Sequence, residues 1–551
     1  MKNNILNVGL IVDQFFVDKY IFDLINWSKN ISSIKISTLI VQNKKKRKIL
    51  DLIIKNSLSD IIKKTLYRLL LFIESALLNF KKKNHTYFSY FNIEKEIDNI
   101  IFVNPQISKG GFFYQYSEED IDKIKQSKLD LLLRCESGIL KGEILNVVKF
   151  GILSLHHGDN NLYRGSPPGF WEVFNNESST GFIIQQLTDQ LDGGNVIFRG
   201  HVPTKEFFLE NCHSVKEKSF YYLKNILTEI SLKKKLPEFM ERKPYSKIIY
   251  KQPNTNIILK YFLRLACLYL KDIFYFKILN KKKLSSLYIT RGYWKNLAMY
   301  KGVKIEKNFY ESIFDPFLLE FNNKNYCFVS VNNFRNKKKS VICLYEVSES
   351  QTLKLGTILE EDDTFLSFPY VFKYNQKIYL VPNSNITGGI RLYECEEFPY
   401  RWRFKKILFK NLNLKNNLIF FYNNLWWLFS NVDVVNNNDY NSELFIFYSK
   451  DGPLTENWIS HTKNPILTDC NQAKNSGIII DDNLIYRVIS RREKKNVRQE
   501  ISINKLTLLD SNNYSEEEYC IIKANFKKNL IGINSFSYQN NVAIFNGVEN
   551  V

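Results

Sequence analysis

The stretch LSLHHGDNNLYRGSPPGFWEVFNNESSTGFIIQQLTDQLDGGNVIFRG, Leu153 to Gly200, decides how the rest of the chain is read. The apolar run that leads into it, Phe150 to Gly158, reads as a parallel strand, and Ser154, His156 and Gly158 leave its end at alternate positions. After Thr180 the pattern becomes alternating strand, with the turn Asp192-Gly193-Gly194 joining two runs as a hairpin that can fold back over the same edge. A hydroxyl, an imidazole and a carboxylate then surround one crevice, and an imidazole beside a carboxylate is the usual general acid/base unit. Each residue also has a plainer reading. His156 can be a satisfied polar side chain at a strand end, Asp192 a turn former before glycine, and Arg164-Gly165 an ordinary loop. His156, His157 and Asp159 match no zinc-binding spacing, so no metal is expected.

Upstream, apolar runs alternate with helical patterns. Strands are expected at Ile5–Asp13, Ser33–Val41, Asn99–Asn104, Leu129–Glu136 and Phe150–Gly158, with helices at Glu118–Lys128 and Ile139–Lys149. Such alternation means a parallel sheet with helices on its faces, which binds ligands at the carboxyl ends of its strands. No GxGxxG follows the first strand, so dinucleotide binding has no support. Downstream, a charged helical region runs from Lys205 to about Lys235, and residues 237–305 read as a connector. From Asp315 onward the helices disappear and a unit repeats: apolar strand, Asn-rich turn, aromatic strand. It recurs at Phe317, Tyr370, Ile419, Gly477 and Ser535. Five all-β units at that spacing predict a five-bladed propeller, with a β-sandwich as the alternative.

At 551 residues the chain exceeds one ordinary domain, and its 44% hydrophobic content can fill large cores. The net charge of +21 favours acidic small-molecule partners, but no basic stripe interleaved with aromatics stands out, so no nucleic acid is expected. Eight scattered cysteines without a CxxC pair read as reduced thiols, and no signal segment opens the chain, which together point to the cytoplasm. The segment Ile257–Leu279 is broken by Lys260, Arg264, Lys271, Asp272 and Lys277, so it reads as amphipathic rather than spanning. Its apolar side is open to a neighbouring domain or to peripheral contact with an anionic membrane.

The order Ser154-Leu155-His156, Tyr163-Arg164-Gly165, Phe170–Phe174, Thr180-Gly181, Leu191-Asp192-Gly193-Gly194 resembles the catalytic segment of the formyltransferase family, over about residues 1–210. The family includes methionyl-tRNA, glycinamide ribonucleotide and nucleotide-amino-sugar formyltransferases. The resemblance implies that 10-formyltetrahydrofolate lies along the Leu131–Gly138 strand end, with Leu133, Cys135 and Gly138 as its contacts. It assigns His156, Asp192 and Ser154 to catalysis and Arg164, Gly165 and His157 to the substrate. Ser154 stands where the family has Asn, a departure from one of three catalytic positions.

In the C-terminal half, Asp315-Pro316-Phe317, Leu366–Tyr370, Pro382-Asn383-Ser384 and Trp426-Trp427 resemble the propellers of arabinanase and xylosidase type glycosidases. They are more similar still to the N-terminal domain of plant glucosamine inositolphosphorylceramide transferases. That resemblance implies a central channel with Asp315 and Asn383 at it. Asn383 and Asn416 stand where Glu and Asp are expected, and hydrolysis needs two carboxylates, so sugar binding is favoured over hydrolysis.

The expected architecture is multidomain. An N-terminal α/β Rossmann-like formyltransferase fold (1–210) is followed by a helical connector with the amphipathic segment (211–305) and a C-terminal all-β five-bladed propeller (306–551). The expected function is N-formyl transfer from 10-formyltetrahydrofolate to an amino sugar, nucleotide-linked, in surface polysaccharide biosynthesis. The alternatives are a catalytically silent fold serving as a carbohydrate-binding or scaffolding protein, and a propeller-borne glycosyl transfer or hydrolysis.

Overall fold

The computed structural model describes residues 5–43, 58–80, 89–108, 111–135, 138–189, 193–272, 283–308, 311–333, 340–349, 351–362, 364–386, 389–410, 412–492 and 499–550. The chain divides into two compact units, Met1–Leu268 and Tyr269–Val551. Residues 211–305, read from sequence as a connector, are shared between them. The helix Phe208–Lys233 packs in the first unit, and Lys283–Arg291 is a strand of the second.

The first unit is built on a seven-stranded sheet. Its order is Asn195–Pro203, Ser179–Gln186, Ile152–His156, Leu131–Arg134, Leu6–Val12, Ile34–Gln42, Asn99–Val103. The last five run parallel, and the hairpin of the first two closes one side antiparallel. Alternation sorts the side chains onto two cores. Leu10, Leu133 and Leu153 meet Ile21 and Leu24 of the helix Lys19–Lys29 and Val215, Leu223 and Leu227 of the helix Phe208–Lys233. Ile11, Leu132 and Ile152 meet Tyr114 and the helix Glu118–Gln126, whose start is capped by Ser117. The expected helix at Ile139–Lys149 is instead a short strand, Ile139–Lys141, and a 3₁₀ turn, Glu143–Asn146. Gly138 and Gly142, at φ +96° and +82°, turn the backbone out of the helical region on either side of that strand.

A helix that periodicity did not single out, Leu58–Phe80, holds the N-terminus of Phe208–Lys233. The buried Glu74 carboxylate accepts from the Phe208 and Leu209 amides at 3.0 Å each and from the Tyr261 hydroxyl. Burial pushes the Glu74 pKa up, while these donors and the helix-end charge favour the anion. Ile258, Tyr261 and Leu265 of the helix Thr255–Asp272 complete this cluster, and Leu259, Leu263 and Leu270 on the same helix are exposed. Residues 273–279 of the amphipathic segment lie outside the described residues. Among the described residues no helix is long and apolar enough to cross a membrane.

The second unit is all β. Three four-stranded antiparallel sheets begin with Glu311–Phe321, Ser367–Tyr374 and Leu414–Tyr422. An eight-stranded sheet has two halves. One runs from Asn475–Asp481 to Tyr514–Ile522; the other pairs Leu530–Gln539 and Val542–Asn550 with Lys283–Arg291 and Val303–Lys304. The halves meet in a parallel bridge at Gln499 and Gly532. The five first strands, beginning at Glu311, Ser367, Leu414, Asn475 and Leu530, touch one another in a closed cycle. The Asn-rich turns are the reason the repeat is visible in sequence. Asn322-Asn323, Asn375-Gln376, Asn423-Asn424 and Asn540-Asn541 all have positive φ at both positions, the two-residue turn whose twist matches its flanking strands.

Candidate active site

Strand register gathers the chemistry on one face of the first unit. Ser154 pairs with Gln185 and His156 with Ile183; Gln185 in turn pairs with Val196 and Ile183 with Arg199. Ser154, His156, Gln185 and Arg199 therefore point to the same side, that of Ile152. Ser154 is 2% exposed, and its hydroxyl makes a long contact, 3.4 Å, to the Leu155 carbonyl. Gln185 is buried, and its Oε1 has no hydrogen-bond partner among the described residues. Gly194 presses on that amide: a Cβ there would stand 2.7 Å from Gln185 Oε1. The His156 ring lies over Gly158, where a Cβ would come within 3.3 Å of both His156 Nε2 and the Tyr163 carbonyl.

The loop after His156 is pinned to this face by charge. Buried Asp159 forms an ion pair with Arg199 and accepts from His201 Nε2 at 3.1 Å. The loop sits so close that a Cβ at Gly181 would lie 2.6 Å from that of Asp159, which is why Thr180 must be followed by glycine. Asn160 accepts from Arg199 Nη2 at 3.0 Å and, through its carbonyl, from Arg164 Nε at 2.8 Å. Arg164 also stacks on Tyr245, 4.3 Å from the ring centre. Gly165, at φ +106°, pairs with Tyr250, and a Cβ there would fall 1.9 Å from the Tyr250 carbonyl oxygen. Asp159, considered from sequence as a metal ligand, is thus committed to Arg199 and His201.

At the strand end a cavity of about 230 Å³ is lined by Leu133, Cys135, Ser154 and His157 with Asp18 and Lys216. His157 Nε2 stands 3.2 Å from Ser219 Oγ, and Lys216 pairs with Asp18 at 2.7 Å. Burial pushes the His157 pKa down to about 3, with Lys216 and His156 adding to the effect, so the ring is neutral. His156 is not among the lining residues, because alternation sends it to the other face. Gly138, grouped from sequence with Leu133 and Cys135, is not there either. It packs on Tyr114, where a Cβ would be 2.6 Å from the ring, and its carbonyl accepts from Arg134 at 2.5 Å. Asp192 lies outside the described residues.

In the second unit Asp315 occupies a strand bulge at φ +53° and accepts from the Phe368 amide at 3.1 Å. Burial raises its pKa to about 6, against the opposing pull of Lys474 and of that hydrogen bond. Asn383, expected at the channel, is spent on its neighbours. It donates to Asn416 Oδ1 at 3.0 Å and accepts from the Asn416 amide at 2.7 Å. Asn416 continues to Asn431 at 3.1 Å, and Asn475 donates to the Asn416 carbonyl at 2.9 Å.

Sequence reasoning missed Gln185, Arg199, Lys216 and Tyr245. Alternation along Ser179–Gln186 could have put Gln185 beside Ser154 once the hairpin was paired with the Ile152–His156 strand; Lys216 and Tyr245 arrive from distant segments with no local signal.

Similarity to known proteins divides between the two halves. Residues 299–541 match the family model Glucosamine inositolphosphorylceramide transferase 1, N-terminal. The Arabidopsis thaliana protein of that name is 28% identical over 246 residues, 42% of this chain and 31% of its own. The chain thus spans about a third of that relative. The methionyl-tRNA formyltransferase of Clostridium beijerinckii is 34% identical over 83 residues, 15% of this chain and 27% of the relative. Among solved structures, a family 117 glycoside hydrolase from Zobellia galactanivorans aligns with 48% of this chain and 91% of its own, at 10% identity and a TM-score of 0.31.

Proposed function

We propose that the first unit is an N-formyltransferase acting on the amine of an amino sugar, and that the second is a five-bladed propeller that binds the sugar or its glycan context. The observation that carries the first half is the convergence of Ser154, His156 and Gln185 on one face, beneath a loop fastened by Asp159. Partial similarity to formyltransferases supports the same reaction class. 10-Formyltetrahydrofolate suits the cavity at the Leu131–Arg134 strand end, whose Leu133, Leu153 and Phe220 offer apolar contact to a flat heterocycle; because His156 lies on the opposite face of its strand, the formyl end would have to pass the strand's carboxyl end beyond Ser154 to reach it. When bound, it would supply the formyl carbon to an attacking amine and leave as tetrahydrofolate, its carbon–nitrogen bond breaking as that nitrogen takes up the proton the amine gives off.

His156 receives the proton that the amine loses, a role suited to an imidazole, and Asp192 follows in the hairpin as its partner in the resemblance. On that face the Ser154 hydroxyl and the Gln185 Nε2 are donors for a developing negative oxygen, while the open Gln185 Oε1 only accepts and suits an N–H of the attacking amine. A family Asn at 154 would provide an amide directly; here the amide comes from the neighbouring strand. The closed cycle of five first strands supports the propeller, and the amides of Asn383 and Asn416, bonded to each other where the resemblance expects carboxylates, support binding rather than hydrolysis. In cells this activity belongs to surface polysaccharide synthesis on a nucleotide-linked sugar.

The test is release of tetrahydrofolate when the full chain is given 10-formyltetrahydrofolate and a panel of amino sugars, with His156→Ala as the control. Turnover with at least one acceptor that disappears in the variant is the expected result; no turnover with any acceptor removes the reading. The long contact of Ser154 with Leu155 favours a second reading, a silent fold that binds without transferring. It requires formyl-folate binding that His156→Ala leaves unchanged, with no release.

A further inference from the structure

Two helices of the first unit carry apolar residues that the core does not use. On Leu58–Phe80, Leu70, Glu74 and Leu78 face inward, whereas Leu58, Ile62, Leu69, Phe72 and Phe80 are exposed, with Leu58, Phe72 and Phe80 at 75%, 72% and 82%. The exposed set is spaced by one or two turns, so it forms a second apolar stripe on the far side of the helix, about 35 Å long. The helix Thr255–Asp272 repeats the pattern. Ile258, Tyr261 and Leu265 are buried, while Leu259, Leu263 and Ala266 are exposed. The buried sides meet, with the Tyr261 hydroxyl donating to the Glu74 carboxylate, so the core holds each helix by one side and leaves an apolar stripe outward on the other.

Charge decides what covers these stripes. Arg68 is exposed one turn before Phe72, and Lys260 one turn before Leu263, so a cation borders each stripe. Along residues 58–80 and 255–268 the cations are Lys63, Lys64, Arg68, Lys260 and Arg264, and the acids are Asp60 and the buried Glu74. A second copy meeting this face by two-fold symmetry would set like charges beside like, with a single exposed acid to offset them. An anionic bilayer satisfies both features at once, acyl chains taking the stripes and lipid phosphates the cations. Neither helix is long and apolar enough to cross it, so both lie along its surface.

We infer that the helices Leu58–Phe80 and Thr255–Asp272 form a peripheral docking face for an anionic membrane, with the apolar stripes sunk to the acyl boundary and Arg68 and Lys260 at the lipid phosphates. The face is separate from the Ser154–His156 site and does not depend on formyl transfer being the reaction. Its consequence is that the first unit works against a lipid surface.

The experiment is flotation of the full chain with vesicles of equal parts phosphatidylcholine and phosphatidylglycerol, and with vesicles of phosphatidylcholine alone. Two double variants are run beside the parent: Leu69→Ser with Phe72→Ser, and Arg68→Glu with Lys260→Glu. All four side chains are exposed, so folding is retained, and a melting curve checks it. The parent is expected to bind the anionic vesicles about tenfold more tightly than the neutral ones, and each double variant to lose about tenfold. No flotation with the anionic vesicles, or equal binding to the two kinds, overturns the inference. So does binding that survives Leu69→Ser with Phe72→Ser, which assigns it to the overall charge of +21 and not to the stripes. A dimer in sedimentation that the same apolar variant dissociates also overturns it, by giving the face to a second copy. Vesicle binding with no tetrahydrofolate release would remove the formyl-transfer reading and leave the docking face standing.

Discussion

The Asn cluster of the second unit and the Gln185 face of the first use buried amides in opposite ways, although the second unit also holds open amide oxygens, at Asn325, Asn534 and Asn546. In the second, Asn383, Asn416, Asn431 and Asn475 form a cluster: Asn383 donates to Asn416 and Asn416 to Asn431 side chain to side chain, and Asn475 ties in through its backbone amide to Asn431 Oδ1 and its side chain to the Asn416 carbonyl. In the first, Gln185 is just as buried, yet its Oε1 has no partner among the described residues, and the terminal groups of Arg164 are likewise open. A buried polar group with all its bonds made contributes to uniqueness of the fold; one left unmade costs free energy that a ligand can recover. On that ground the Asn cluster reads as structure, while the proposal for Ser154 and Gln185 stands on their register with His156 as well as on the open amide.

That contrast can be broken by substitution. The largest effect is expected at His156: replacement by Ala should lower formyl transfer about 10³-fold with thermal unfolding unchanged, the usual contribution of a general base. Release of tetrahydrofolate and a melting curve on the same sample measure both. In the Asn cluster the pattern should reverse. Asn416→Ala removes the acceptor of Asn383 Nδ2 and a donor to Asn431 Oδ1, puts alanine at φ +53°, and should cost about 3 kcal/mol in urea unfolding of the second unit while transfer by the first is preserved. A loss of transfer without a loss of stability there would erase the distinction drawn between the two regions.

Gln185→Leu sharpens the contrast further. Its side chain is surrendered at no cost to any protein bond at Oε1, so stability should hold or rise slightly while kcat falls about tenfold or more, as for a lost amide beside the reacting atoms. If stability drops and kcat does not, Gln185 belongs with the Asn cluster. The smallest effect is expected from His157. Its pKa is depressed to about 3 in the folded chain, so below its ordinary value near 6.5 the unfolded chain takes up a proton that the folded chain refuses. Stability therefore falls with pH across that window, by about 1 kcal/mol between pH 7 and pH 5.5. His157→Asn should flatten this part of the curve, and urea midpoints at the two pH values provide the check.

Much of the fold was legible. Apolar runs marked all five parallel strands, and Asn-rich turns marked the C-terminal repeat, because both are local: side-chain alternation and positive-φ turns leave their signature within ten residues. The helix expected at Ile139–Lys149 failed for an equally local reason, the glycines on either side of Ile139–Lys141, which the apolar spacing masked. The closing strand Lys283–Arg291 could not be seen, since its partner Val542–Asn550 lies at the other end of the chain. The same limit governs the site. Ser154, His156 and the Tyr163-Arg164-Gly165 loop stand in one run, whereas the packing of Gly138 on Tyr114 and the bond of Asn383 to Asn416 depend on distant segments and left no local signal.

By itself, then, the sequence determined the parallel α/β half, the repeating β half, and the His156 and Arg164 motifs, all of which rest on periodicity and turn chemistry between near neighbours. Tertiary structure alone decided that Gln185 faces Ser154, that Asp159 locks the loop to Arg199 and His201, and that Tyr245 lies against Arg164. Those pairings join residues 30 to 80 positions apart, and only the closure of the sheet and its hairpin, driven by burial of the two apolar faces, brings them within hydrogen-bond reach.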